Sequence, residues 1–226
     1  MIRPSNVPLP PDAHAHACEG REDGAEVFRL WNVGDPRTPV PEGVFYSAGI
    51  HPQDAMRFAP EDFEALWDSP SCLAVGECGL DRTADVPLPR QTELFEAQIG
   101  QAVRMEKPLV IHCVRCFPEL IRLKAATGAD SPPWVLHGFR GAKRKAFELL
   151  DAGFTLSFGA GLLRDAGNME YFAEIPLDRI LIETDESPEL FPQILAEASA
   201  MHLLPPGEFA EAVRTNFERI FRHDPV

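Results

Sequence analysis

The chain has 226 residues, 45% hydrophobic and 25% charged, the proportions of an ordinary globular protein, neither disordered nor built to span a membrane. Thirty-five acidic against 21 basic residues leave a formal charge of −14, which excludes the broad positive surface that non-specific binding to nucleic acid or anionic lipid requires. Such acidity leaves a phosphate substrate open, because bound divalent cations reverse the local sign.

Five cysteines, an odd number, argue against a disulfide framework and for a reducing compartment. No apolar run approaches membrane-spanning length, and Pro4, Pro8, Pro10 and Pro11 interrupt the apolar core a signal peptide needs. A cytoplasmic protein without membrane contact is expected, and nothing in the sequence calls for an obligate protein partner. The length fits one domain over 1–226, with 1–11 as a proline-rich tail.

Residues 12–16 (DAHAH) read as the first strand, whose alternation puts His14 and His16 on one side, able to chelate one ion. A second strand is expected over 26–33, stopped by Gly34-Asp35-Pro36, with too little chain nearby for a crossover helix. The third, 44–50, exits at His51-Pro52. Residues 60–67 open with proline and acids, as a helix start does, and place Phe63, Leu66 and Trp67 on one face. The fourth strand, 72–75, leads into Gly76-Glu77-Cys78-Gly79-Leu80-Asp81, where two glycines flanking one buried carboxylate imply backbone crowding.

Residues 90–106 form the longest helix, with Leu94, Phe95, Ile99, Ala102 and Val103 as its core stripe. The fifth strand, 109–111, delivers His112, followed by Cys113-x-x-Cys116. With no second such pair, these cysteines read as packing rather than a zinc or redox site. A helix over 117–126 leads to the sixth strand, 133–136, and to the loop His137-Gly138-Phe139-Arg140-Gly141. There the glycines leave room for a ligand and Arg140 offers a forked donor to phosphate. A helix over 142–152, a seventh strand over 154–158 and a short helix over 169–175 precede the eighth strand, 179–184, which runs out at Asp185. Two closing helices, 188–201 and 206–221, carry apolar docking stripes.

Eight strands alternating with helices predict a (β/α)8 TIM barrel with shortened or missing early helices; a doubly wound open sheet is the alternative, but no glycine-rich nucleotide loop accompanies it. In a barrel, active sites gather at the strand C-termini, where His14, His16, Glu77, His112, His137 and Asp185 all fall. Four histidines and two carboxylates make an N/O donor set suited to Zn²⁺, Mn²⁺ or Ni²⁺, and less readily Mg²⁺. Two ions sharing Glu77 about 3.5 to 4 Å apart would acidify a water, with Asp185 placed to orient it and accept its proton.

In order, D-x-H-x-H (12–16), G-I-H-P (49–52), G-E-C-G-L-D (76–81), I-H-C (111–113), H-G-F-x-G (137–141), E-T-D-x-S-P (183–188) and N-F-E-R-I-F (216–221) resemble the TatD family of metal-dependent hydrolases, in a short-chain form. The resemblance implies an amidohydrolase-like barrel associated with DNA hydrolysis. It implies that His14, His16 and Asp185 hold one metal, that Glu77 bridges, and that His112 and His137 complete a second. His51, Asp81 and Glu183 fall at family positions near the substrate or supporting the ligands. Departures from the family pattern concern substrate contacts. The segment before G-I-H-P is short, and Arg115 lies three residues after His112 instead of two. Gly138 and Arg140 replace the usual cysteine and serine, and the loop after E-T-D-x-S-P is missing.

The expected activity is a metal-dependent phosphodiesterase, foremost a deoxyribonuclease, with DNA or a small phosphodiester as substrate and His51, Arg140 and Arg115 as substrate contacts. An amidohydrolase of a small amide or ester is the alternative, disfavoured because no lysine stands at a strand end to serve as a carboxylated bridge. A non-catalytic metal-binding protein is the third reading.

Overall fold

The computed structural model describes residues 9–16, 27–128, 131–164 and 169–222. Its eight strands are β1 (Asp12–His16), β2 (Arg29–Val33), β3 (Tyr46–Ala48), β4 (Cys72–Asp81), β5 (Leu109–Val114), β6 (Trp134–Leu136), β7 (Phe154–Phe158) and β8 (Ile180–Ile182). They form one sheet in sequence order with every neighbouring pair parallel. The sheet closes on itself: Ala15 and Asp185 make a parallel bridge, His16 N–H donates to the Asp185 carbonyl at 2.9 Å, and Asp185 N–H donates to the His14 carbonyl at 3.0 Å. The result is a TIM barrel.

Strand composition follows from this closure. Leu109 to Ile111 and Ile180 to Ile182 are wholly buried, because a parallel strand lined by barrel core on one side and helices on the other has no solvent face. Seven helical segments accompany the strands: α1 (Glu64–Trp67), α2 (Leu88–Met105), α3 (Phe117–Thr127), α4 (Lys143–Asp151), α5 (Gly161–Arg164), α6 (Phe191–Met201) and α7 (Pro206–Phe221). The stripe of α2 buries Leu94, Phe95, Ile99 and Ala102, while Val103 is half-buried. Phe95 meets Trp134 edge-on, and Trp134 meets Phe154, each such ring contributing roughly 1.5–3 kcal/mol through burial. Helix α7 docks through Phe209, Val213, Phe217 and Phe221, and its buried Asn216 side chain donates to the carbonyls of Leu177 and Ile180, fixing the entry to β8.

The thin first half matches expectation: residues 34–45 hold no helix, and between β3 and β4 the chain makes 3₁₀ turns at Pro52–Asp54 and Pro60–Phe63 and the single turn α1. The proline-rich stretch before Leu9 and the start of the expected second strand at Glu26 lie outside the described residues; that strand begins at Arg29. The third and eighth strands are shorter than the sequence suggests, and the expected short helix at 169–175 is a 3₁₀ segment, Glu170–Glu174.

One correction bears on the site. The fourth strand, expected over 72–75, runs on to Asp81: β4 has ten residues and pairs with β5 as far as Asp81–Val114. Glycine normally marks a break, but here it is required by close approach. A Cβ on Gly76 would stand 2.2 Å from the Val110 carbonyl oxygen and one on Gly79 2.0 Å from that of His112, at φ of 147° and 140°. The Gly76–Glu77 peptide is cis. Among the described residues no helix is long and apolar enough to cross a membrane.

Candidate metal centre

The six proposed ligands come from five strands or the residues that follow them. His14 and His16 come from β1, Glu77 from the middle of β4, His112 from β5, and His137 and Asp185 from the residues following β6 and β8. Because the strands are parallel, these positions converge at one mouth of the barrel.

Glu77 stands at the centre, its side chain 5% exposed. Its Oε1 faces His137 Nε2 at 2.8 Å, His112 Nδ1 at 3.0 Å and His51 Nε2 at 3.5 Å. Its Oε2 faces His14 Nε2 at 3.5 Å and His16 Nε2 at 3.6 Å. Asp185 Oδ1 lies 3.2 Å from His16 Nε2 and 4.0 Å from His14 Nε2. Three groups have ligand atoms mutually within 4.8 Å: His14, His16 and Asp185; His14, Glu77 and His137; and His51, Glu77 and His112.

The donor set fits a divalent cation on two counts. First, both ring nitrogens of His14 are buried with no hydrogen-bond partner, an expensive arrangement for a polar ring unless a ligand satisfies it. Second, two of the rings around this carboxylate, His16 and His137, hold protons strongly. Hydrogen bonds donated to Asp185 and then to Glu77 raise the His16 imidazole to about 10. Burial works to lower His137, yet Glu77 and Glu183 hold it well above the ordinary imidazole value. Burial works to raise Glu77, yet the histidines, His137 foremost, hold it well below the usual carboxylate range. Asp185 is likewise lowered against its burial, first by His16. These protons are the ones a cation would displace.

The ring partners separate ligands from donors. His112 directs Nε2 to Asp81 Oδ2 at 3.1 Å, leaving Nδ1 for the cluster. His137 places Nδ1 3.5 Å from Glu183 Oε1 and turns Nε2 inward. His51 is different: its Nδ1 accepts the Gln53 N–H at 3.2 Å, so the ring proton sits on Nε2 and points at the cluster. Burial also lowers the His51 pKa, favouring the neutral ring. Its Nε2 faces Glu77 Oε1 in the geometry of a donor, and its position groups it with Glu77 and His112.

Several residues that hold this arrangement gave no local signal in the sequence. Asn32, near the end of β2, touches Glu77 twice. Gln91 clamps the backbone of Asp81, accepting from its N–H at 2.8 Å and donating to its carbonyl at 2.9 Å; Gln98 does the same at Ile50, beside His51. Asp12, fully buried, accepts from Thr184 N–H at 3.0 Å and Thr184 Oγ1 at 2.6 Å, joining β1 to the chain that carries Asp185. Burial pushes the Asp12 carboxyl up to about 7 against those bonds.

Space for a substrate surrounds the cluster. A cavity of about 500 Å³ opens over His16, His51, Glu77 and His112. A second of about 410 Å³ is lined by His112, Arg115, His137, Arg140 and Asp185, and a smaller one of about 140 Å³ by Arg140, Arg164, Glu183 and Asp185. All three share Asp185. Arg115 and Arg140 thus flank the cluster without touching Glu77. Cys113 and Cys116 are free, and burial raises the Cys113 thiol to about 12, so neither offers a thiolate.

Residues 37–222 match the model of a family described as TatD related DNase. The chain belongs to the TatD-related DNase family. Among curated TatD proteins, it is 34% identical over 160 residues to the 3'-5' ssDNA/RNA exonuclease TatD of Edwardsiella piscicida, an overlap of 68% of this chain and 61% of that one. The corresponding protein of Klebsiella pneumoniae is 31% identical over 160 residues, covering 68% and 60%. The chain therefore spans about 60% of the length of these TatD relatives. Its fold is that of a TatD homolog from Escherichia coli (TM-score 0.77, 22% identity, 86% of each chain) and of an uncharacterized amidohydrolase from Saccharomyces cerevisiae (TM-score 0.75, 12% identity, 95% and 100%). As a TatD barrel, the chain carries its departures from the family pattern around the rim, at Arg115 and Arg140, while the histidine and carboxylate cluster sits below.

Proposed function

We propose that this TatD-family chain is a divalent-metal-dependent phosphodiesterase whose substrate is DNA. The observation that carries the reading is Glu77, a nearly buried carboxylate with histidine nitrogens of three strand ends on one oxygen or the other and the unpartnered His14 ring beside it. His14, His16 and Asp185 would hold one ion, His112 and His137 a second, with Glu77 between them. Bound there, divalent ions supply Lewis acidity and lower the pKa of water.

The side chains do the rest. Asp185, at the point common to all three cavities, orients the attacking water and takes its proton. His51, neutral, donates from Nε2 to a phosphoryl oxygen, while Arg140 and Arg115 offer guanidinium groups to the flanking phosphate. The net charge of −14 disfavours long non-specific tracks on nucleic acid, which suits a site that takes a strand locally.

A substrate panel tests this: single- and double-stranded DNA, RNA, a small phosphodiester and simple amides and esters, offered to protein loaded with Mn²⁺ or Zn²⁺, with Asp185→Asn as control. Asp185 has a left-handed φ of 55°, which asparagine also adopts readily, so the variant keeps the backbone. DNA cleavage that falls by about 10²- to 10⁴-fold in the variant is expected. Turnover of the small phosphodiester with DNA untouched would remove the nuclease assignment, and cleavage of amides alone would replace it.

A further inference from the structure

Asn32 is a half-buried polar residue near the end of β2, and both ends of its amide are engaged. Both are satisfied by one residue. Asn32 Oδ1 accepts the Glu77 backbone N–H at 3.0 Å, and Asn32 Nδ2 donates to Glu77 Oε2 at 3.2 Å. The orientation of the amide follows from its partners, since an N–H can only donate and an ionised carboxylate can only accept. The contact reaches from β2 across the neighbouring strand β3, which pairs with Asn32 through Ser47, to the middle of β4.

We infer that Asn32 is the positioning residue that fixes which oxygen of Glu77 serves which ion. Holding Oε2 on the side of His14 and His16 leaves Oε1 to His112 and His137, so the rotation of one carboxylate is settled by one amide. No other residue type of that size does both tasks: aspartate has no donor for Oε2, leucine has neither group, and threonine offers one atom where two are needed. Asn32 also lines the cavity over the cluster, so it acts from the edge of the site without ligating. The inference rests on the reading of Glu77 as the bridge between two ions.

The test is calorimetric titration of metal-free protein with Zn²⁺ and with Mn²⁺, wild type against Asn32→Leu. The leucine variant is expected to keep its circular dichroism spectrum and to bind both ions about 10- to 100-fold more weakly, the usual cost of losing a partner that orients a ligand. In steady-state assays at saturating metal its kcat falls while KM for the phosphodiester stays unchanged. Asn32→Thr, suited to a strand by its branched side chain, carries the same expectation if the leucine variant does not fold. Wild-type affinity for both ions in either folded variant overturns the role of Asn32 and leaves the metal reading standing. Wild-type protein that binds neither ion overturns both.

Discussion

Asp81 Oδ2 lies 3.1 Å from His112 Nε2, on the opposite side of the ring from the Nδ1 that faces Glu77. A carboxylate behind a histidine sets its tautomer and increases the basicity of the other nitrogen. Asp81 is itself held by Thr83, whose N–H and hydroxyl both donate to Oδ1, at 2.6 and 2.5 Å. Asp81→Ala therefore frees the His112 ring without disturbing the inner carboxylate. Metal affinity measured by titration is expected to fall about 10- to 100-fold, with one ion lost preferentially.

The glycines of β4 carry a stability requirement. Alanine at position 76 or 79 would put a methyl group within 2.2 or 2.0 Å of a carbonyl oxygen of β5, at a φ that side chains avoid. Strain and overpacking together cost about 3 kcal/mol or more, so thermal denaturation of Gly76→Ala should show a Tm lower by on the order of 10 °C. Gly100, in helix α2 with open space around it, serves as the control: alanine there should be neutral or stabilising by about 0.5–1 kcal/mol.

Arg140 is exposed at the rim, its side chain resting over Gly161, where a Cβ would come 3.0 Å from Nε. Arg140→Ala removes the proposed phosphate donor from the wall shared by two cavities and leaves the cluster intact. Steady-state kinetics on single-stranded DNA should show KM raised by about tenfold, kcat little changed, and a salt dependence weakened by about 0.7 in logarithmic slope.

His202 gives a pH dependence separable from the metal centre. It stands between Phe172 and Phe209, and burial lowers its pKa below 6.5 even though a backbone contact at Ile175 works to raise it. The folded state then holds a neutral ring that the unfolded state protonates more readily. Stability from this group is present above the unfolded pKa near 6.5 and is lost as pH falls through the lower folded value. Wild type should lose more Tm than His202→Phe between pH 7.5 and pH 5, under identical metal conditions. Equal losses would show that His202 titrates alike in both states.

The sequence revealed the barrel and its cluster for one physical reason: parallel strands end at a common mouth, so a ligand-type residue after each apolar run is legible one strand at a time. His14, His112, His137 and Asp185 were all found this way. What local reading could not supply is anything set by approach between distant segments. Gly76 and Gly79 signal crowding in the sequence but not its source, because the carbonyls of Val110 and His112 that exclude a side chain lie on the next strand. Asn32, Gln91 and Gln98 looked like ordinary polar residues because their partners lie 45, 10 and 48 residues away. His51 could be placed at the mouth, but its tautomer came only from the Gln53 amide.

The bond between Asp12 and Thr184 spans 172 residues. During synthesis, His14 and His16 leave the ribosome long before Asp185 exists, and no shorter nascent chain can seat an ion among those three. On the ligand assignment proposed above, an ion is seated there only after Asp185 has joined the first strand. The closing of the first strand onto the last is a high-contact-order step expected late in folding, after the local β4–α2–β5 unit has formed. A partly made chain carries His14 and His16 without the Asp185 carboxylate beside them.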